Sequence, residues 1–263
     1  MQINRSFLIL AGIAIVGFVF LNAFQHTGRV GSAGPLSLTS VARAEGVKPN
    51  RQKIIDRFLK LWFKRPGHTV FENQWLGVKT LQNPNDMWIT QEILFEVKPD
   101  FLVETGTFFG GSAVMWAMIL EQINPAARVI TIDIKDRVTD AKKIDIFRRK
   151  VDFLIGSSTD PEIVAEVERR TKGKKIVVLL DSAHNKDHVL NELKAYSPLV
   201  AVGSYLIVQD TIVNGHPIWP NFGPGPHEAV EEFLATNNRF EPDRTRERLL
   251  LTLCRDGYLK RIR

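Results

Sequence analysis

From Glu92 onward the chain alternates short apolar runs with stretches whose apolar residues recur at helical spacing. Residues 100–104 (DFLVE), 128–133 (RVITID), 151–155 (VDFLI), 175–181 (KIVVLLD) and 204–210 (SYLIVQD) predict strands. Helices are predicted between them at 112–122, around 136–149, at 161–171 behind the Thr159-Asp160 cap signal, at 187–197 and at 227–236. The run 175–181 is apolar at nearly every position, as in a strand covered on both faces. Residues 239–243 and 249–255 close the chain as two more strands with no helix between them, which predicts a hairpin containing one antiparallel strand. The pattern as a whole predicts an α/β domain built on a doubly wound, mostly parallel seven-stranded sheet.

The first 48 residues follow a different pattern. From Phe7 to Phe24 the chain runs 18 residues without a charge, about 27 Å as a helix and close to the thickness of a bilayer core. An uncleaved membrane-anchor helix is the expected reading. A secretory signal would have an apolar core of roughly 7–15 residues, and its small-residue site, Ala42-Arg43-Ala44, lies far downstream. A buried core helix is opposed by Gly12, Gly17 and the lack of a polar face. Residues 25–50 are rich in Gly, Ser, Ala, Thr and Pro and read as a linker. The expected division is therefore anchor and linker over 1–48 and one domain over 49–263. Past Arg51, Ile54, Ile55, Phe58, Leu59 and Trp62 fall at helical spacing among Lys53, Arg57, Lys60 and Lys64. That helix either packs on the domain with a solvated basic face or lies on an anionic membrane surface.

Composition narrows the classes. A hydrophobic content of 44% excludes a disordered chain. The lone Cys254 allows no intrachain disulfide and no cysteine-based zinc cluster. The net charge of +6 comes from scattered Lys and Arg without a basic stripe, so nucleic acid is not an expected partner.

In a doubly wound sheet, ligands bind beyond the carboxyl ends of the strands. Here those ends carry Glu104, Asp133, Asp181 and Gln209-Asp210. The first strand runs into Glu104-Thr-Gly-Thr-Phe-Phe-Gly-Gly-Ser112. Gly106, Gly110 and Gly111 allow a tight turn and close approach of a ligand, and the helix opening at Ser112 directs free N–H groups at an anion. The spacing differs from the G-x-G-x-x-G of a dinucleotide site. It suits S-adenosylmethionine, whose ammonium an acid such as Glu104 can balance and whose ribose hydroxyls Asp133 can accept. Ser157 and Ser158, after the third strand, are expected near the adenine, although Gly-Ser-Ser is also common loop composition.

Asp181, Gln209 and Asp210 bring three oxygen-bearing side chains to adjacent strand ends, which suits a hard cation such as Mg²⁺ that orients a substrate hydroxyl. His184, three residues past Asp181, is the candidate catalytic base. The plainer alternatives are a surface histidine and an aspartate that caps the next helix. No G-x-S-x-G elbow occurs, Cys254 falls in an apolar run, and the histidines form no two-His, one-carboxylate set. The segment 211–226 holds four prolines with His216, Trp219 and Phe222 interleaved, and is expected to wall the substrate site or to contact another subunit of a homo-oligomer.

Several of these segments carry a family resemblance. Trp75-Leu-Gly-Val, Asp86-Met-Trp-Ile-Thr-Gln-Glu-Ile-Leu, Glu104-Thr-Gly-Thr with Gly110-Gly111-Ser112, and Gly156-Ser-Ser-Thr-Asp-Pro161 resemble the cephalosporin hydroxylase family. So do Leu180-Asp-Ser-Ala-His184, Asp210-Thr, Asn214-Gly-His216, Phe222-Gly-Pro-Gly-Pro226 and Gly257-Tyr-Leu-Lys260. The resemblance covers roughly residues 70–263. It implies a Rossmann-like class I methyltransferase fold, S-adenosylmethionine at the 104–112 loop and Asp133, and Mg²⁺ at Asp181, Gln209 and Asp210. The family usually carries Glu where this chain has Gln209, which removes one negative charge. Catechol-type methyltransferases hold Mg²⁺ with two carboxylates and an amide, so the site need not be lost.

The expected function is a metal-dependent O-methyltransferase acting on a hydroxyl of a small molecule or glycosyl group. A membrane-tethered binding or assembly protein with the same fold is the alternative, and an oxygenase rests on the family's name alone. A cytoplasmic catalytic domain follows from where the methyl donor is found, with export after signal cleavage as the alternative.

Overall fold

The computed structural model describes residues 49–64 and 72–263. Among these, no helix is long and apolar enough to cross a membrane, and the predicted anchor from Phe7 to Phe24 lies outside them.

The elements in order are α1 (Pro49–Lys64), β1 (Gln74–Trp75), β2 (Val78–Lys79), α2 (Pro84–Val97), β3 (Phe101–Thr105), α3 (Gly111–Ile123) and β4 (Arg128–Asp133). They continue with α4 (Asp145–Lys150), β5 (Val151–Ile155), α5 (Pro161–Thr171), β6 (Ile176–Leu180), α6 (Lys186–Tyr196) and β7 (Tyr205–Val208). The last are α7 (Pro226–Thr236), β8 (Phe240–Pro242) and β9 (Tyr258–Arg261). Strands β5-β4-β3-β6-β7-β9-β8 form one seven-stranded sheet. The first five pair in parallel, while β9 inserts antiparallel to both β7 and β8. The strand order reverses between β3 and β6, so the crevice expected for a ligand opens at their carboxyl ends.

Five strands and, apart from the 136–149 region, the helices between them fall where the apolar pattern places them. Every residue of β6 is buried, because helices cover both faces of the sheet and leave no solvent side for a polar residue. One face packs Leu102, Val129, Val177, Leu179 and Ile207 against α2 and α3. The other packs Val103, Ile130, Val178 and Leu206 against α5, α6 and α7.

The structure departs from the expected elements in four places. The last strand is Tyr258–Arg261, not residues 249–255. That apolar stretch is a buried loop whose backbone is satisfied by side chains instead of a ladder. Leu253 N–H donates to Asp86 Oδ2 at 2.7 Å, Cys254 N–H to Thr252 Oγ1 at 2.9 Å, and Leu251 C=O accepts from Asn83 and Asn85. The 136–149 region forms only a 3-10 turn at Ala141–Lys143 and the short α4. Helix α2 was not predicted, although Asn83 caps it and Pro84 opens it. The β1–β2 hairpin was also not predicted.

Helix α1 packs on the domain: Ile55 and Leu59 are buried among Ile212, Val213, Ile218 and Leu253, and Asp56 accepts from Arg255 at 2.8 Å.

Candidate active site

A cavity of about 650 Å³ opens at the carboxyl ends of β3, β4, β5, β6 and β7, a size usual for organic ligands. Gly106, Asp133, Ser157 and Ser158 line one half, and Asp181, His184 and Asp210 the other.

The β3 loop is glycine-rich for reasons of chain packing. Gly106 sits at φ +86°, and a Cβ there would lie 1.9 Å from the Asp181 carbonyl oxygen. A Cβ on Gly111 would lie 1.8 Å from Thr80 Oγ1, against the hairpin. Gly110, at φ +84°, starts α3 without a side-chain cap. The glycines therefore let strands, hairpin and loop close on one another. Gly110, Gly111 and Ser112 do not line the cavity as the sequence reading places them, because the hairpin and the α4 region cover that side of the loop.

Glu104 is buried beneath the loop and lies behind the wall. Its Oε1 accepts from Trp116 Nε1 at 3.1 Å and its Oε2 from Thr131 Oγ1 at 2.6 Å. Burial pushes its carboxyl up to about 7 against the pull of hydrogen bonds from Thr131, Ser112 and Trp116. A cation in the cavity would favour its charged form. Asp133 faces the cavity with both oxygens fixed: Oδ2 accepts from Phe108 N–H at 2.8 Å and Oδ1 from Lys135 N–H at 3.0 Å. Such a held carboxylate can still accept from two vicinal hydroxyls through its remaining lone pairs.

Behind Ser158 stands a cluster that the sequence reading missed. Ser158 and Ser182 each donate to Glu192 Oε1, at 2.6 and 2.7 Å, and His188 Nε2 lies 3.1 and 3.0 Å from the two hydroxyl oxygens. Glu192 is fully buried, and its Oε2 has no partner among the described residues. The two serines thus share one buried acceptor, with His188 Nε2 beside both hydroxyls. The Glu192 side chain raises the His188 pKa, with burial opposing it. His188 and Glu192 are one helical turn apart on α6, a spacing that could have signalled the pair.

In the other half, one ligand atom from each of Asp181, His184 and Asp210 lies within 4.8 Å of the others. His184 Nε2 is 3.1 Å from Asp210 Oδ2. Asp210 adopts φ +55° directly after β7, an uncommon conformation for a residue with a side chain. Burial, then the charges of Asp210 and Glu104, hold the Asp181 carboxyl well above the usual range. A cation beside Asp181 would favour its charged form.

Gln209 does not join this cluster. Its Oε1 accepts from the Cys254 thiol at 3.2 Å, its Nε2 donates to Gln82 Oε1 at 2.8 Å, and Gln82 Nε2 donates to Asp181 Oδ2 at 2.6 Å. The amide is occupied at both ends by protein partners. Its influence reaches Asp181 through Gln82, a residue with no sequence signal of its own. Cys254 is buried, and its thiol is pushed up by burial and by Asp86 and Asp210, so it is inert as expected.

The 211–226 loop forms the mouth. Asn214 Nδ2 donates to Glu228 Oε1 at 2.8 Å, His216 Nε2 lies 3.0 Å from the same oxygen, and Gly225 N–H donates to Glu228 Oε2 at 2.7 Å. Burial opposes ionisation of Glu228, but these hydrogen bonds outweigh it and bring its pKa down to about 2. On this pinned loop Trp219 lines the cavity, edge-on to Phe63 of α1 at 5.5 Å and stacked on Phe222 at 6.2 Å.

A mostly parallel sheet with this strand order carries a carboxylate after β4 and an acid–histidine cluster after β6 and β7, and the family and relatives that the chain matches make it a class I, S-adenosylmethionine-dependent O-methyltransferase. The family model described as Rhamnosyl O-methyltransferase/CmcI matches residues 68–262, and the chain belongs to that family. The chain is 38% identical over 199 residues to a Rhamnosyl O-methyltransferase of Mycobacterium bovis (strain BCG / Pasteur 1173P2), covering 69% of this chain and 80% of the relative. The Mycobacterium leprae (strain TN) protein of the same name is 38% identical over 194 residues, covering 71% and 82%. Among solved structures, the CmcI-N160 apo-structure aligns with a TM-score of 0.56 at 22% identity, over 92% of this chain and 95% of that one. A structure described as cmcI-D160 Mg-SAM aligns with a TM-score of 0.56 at 21% identity, over 92% and 96%.

Proposed function

We propose that the chain transfers the methyl group of S-adenosylmethionine to a hydroxyl of a glycosyl acceptor, a rhamnosyl group in the first instance. The observation that carries this reading is the convergence of Asp181, His184 and Asp210 in the same cavity as Asp133. The glycosyl acceptor is taken from the name shared by relatives at 38% identity.

Asp133 accepts the ribose hydroxyls, Ser157 and Ser158 sit at the adenine, and Glu104 acts from beneath the loop as counter-charge to the donor's cationic groups. His184 Nε2 lies 3.1 Å from Asp210 Oδ2, and His184 is the group that receives the acceptor's proton. The acceptor oxygen displaces the sulfur from the methyl carbon: the O–C bond forms, the S–C bond breaks, and S-adenosylhomocysteine leaves. The aromatic mouth at Trp219 and Phe63 excludes water.

The convergence of Asp181 and Asp210 fits a divalent cation that those two carboxylates would hold, with water or substrate completing its shell. Gln209 stands behind this pair instead of within it. When bound, Mg²⁺ supplies Lewis acidity that lowers the pKa of the acceptor hydroxyl.

The experiment is transfer from methyl-labelled S-adenosylmethionine to a panel of rhamnosides, with calorimetry of donor binding alongside. Label appearing in a methyl ether of the sugar is the expected result. Donor binding without transfer to any glycosyl hydroxyl would overturn the acceptor assignment. Absence of donor binding by the folded protein would overturn the whole reading.

A further inference from the structure

Helix α1 carries a second face that the domain does not cover. At about 100° per residue, Ile54, Phe58 and Leu61 fall within about 60° of one another and about 100° round from the buried Ile55 and Leu59. They are 62%, 48% and 65% exposed. Arg51 borders this stripe on one side, and Arg57, Lys64, Lys53 and Lys60 border it on the other, all exposed. The helix's single acid, Asp56, is turned inward to Gln52 and Arg255. The outer face is therefore three large apolar side chains in a frame that carries five cations and no acid.

A solvated helix face places polar residues outward. Large apolar residues at one-turn spacing, framed by cations, match a helix lying in an anionic lipid interface: the side chains enter the acyl boundary and the cations meet phosphate groups. The sequence supplies the second observation. The uncharged run from Phe7 to Phe24 is long enough to enter a bilayer. The 24 residues 25–48 span at most about 80 Å when fully extended, so a bilayer entered at Phe24 lies within that reach of α1.

We propose that α1 is an interfacial helix that lays Ile54, Phe58 and Leu61 into the headgroup region of an anionic bilayer. The same helix supplies Phe63 to the cavity wall from its opposite side, so one element would link the lipid surface to the site. The proposal does not depend on the identity of the methyl acceptor.

Cys254 is the chain's only cysteine and is buried, so Leu61→Cys or Ile54→Cys introduces a single reactive thiol for an environment-sensitive fluorophore. Val202→Cys, at an exposed position before β7, serves as control. Full-length protein is reconstituted with vesicles of phosphatidylcholine alone or containing one quarter phosphatidylglycerol. The expected result is a blue shift, with quenching by nitroxide lipids, at positions 61 and 54 in the anionic vesicles and none at 202. Raised salt and Lys53→Gln or Lys60→Gln should weaken the response, by about fivefold in partitioning per lysine at low salt. Identical emission in neutral and anionic vesicles would overturn the proposal. So would a shift that appears without vesicles and grows with protein concentration, which would assign the face to a second copy of the chain. Donor binding measured on the same variants should not change.

Discussion

The two halves of the cavity are built differently. The half proposed for the donor is shaped largely by backbone, with strand ends, tight turns and a carboxylate, Asp133, fixed by two main-chain N–H groups, and the Ser158–Ser182–Glu192 side chains stand behind it. The acceptor half is made by side chains that meet from distant parts of the chain, with Gln82, Asp181, Gln209 and Cys254 linked in one hydrogen-bonded series. Backbone sites tolerate few sequences and so leave a recognisable motif. Side-chain relays can be rewired one residue at a time.

If the halves are separate in function, substitutions should divide between donor affinity and turnover. The largest effect is expected at His184→Ala, which should lower kcat by about 10²–10⁴-fold and leave the dissociation constant for S-adenosylhomocysteine within about threefold. Asp133→Ala should do the reverse, weakening donor binding by about 10–100-fold, as for loss of charge-assisted hydrogen bonds of about 1.5–3 kcal/mol. Calorimetry and single-turnover kinetics on both variants check the division; loss of donor binding in His184→Ala would break it.

The next effect concerns pH. Glu104 has its pKa raised from 4.5 to about 7, and a cationic donor favours the ionised form. Affinity for S-adenosylmethionine should therefore fall about tenfold per unit as pH drops below about 7. The same shift costs the ligand-free fold stability as pH rises from about 4.5 to 7, because the unfolded chain ionises first. Glu104→Gln should flatten the binding profile and raise the melting temperature of the free protein at pH 8. An unchanged binding profile would remove Glu104 from the donor's electrostatics. The smallest effect is expected at Gln209→Glu, where the added charge behind Asp181 should tighten Mg²⁺ binding severalfold by calorimetry. No change would confine Gln209 to packing.

Legibility in the sequence follows the same division. The five parallel strands, Asp133 and the Asp181–His184 step could be read because each is local: an apolar run and the polar residue that ends it. The strand expected at 249–255 could not be told from a buried loop, since both are apolar; what separates them is Asp86, far away in sequence, accepting the Leu253 N–H. Gln82 carries no local pattern, and of the Ser158–Ser182–Glu192 cluster only the one-turn spacing of His188 and Glu192 is local. The glycines were legible as turns, but their reason is the proximity of Thr80 and Asp181.

Gly106 joins the two halves. Its α-carbon passes so close to the Asp181 carbonyl that even a methyl group would not fit between them. Neither strand end can be re-engineered alone: a shift in β6 made to admit a different acceptor would be felt by the donor loop. The smallest portable unit of this enzyme is therefore the β3–β6 pair, and a chimera that exchanges acceptor preference should cut the chain so that both strands come from the same parent.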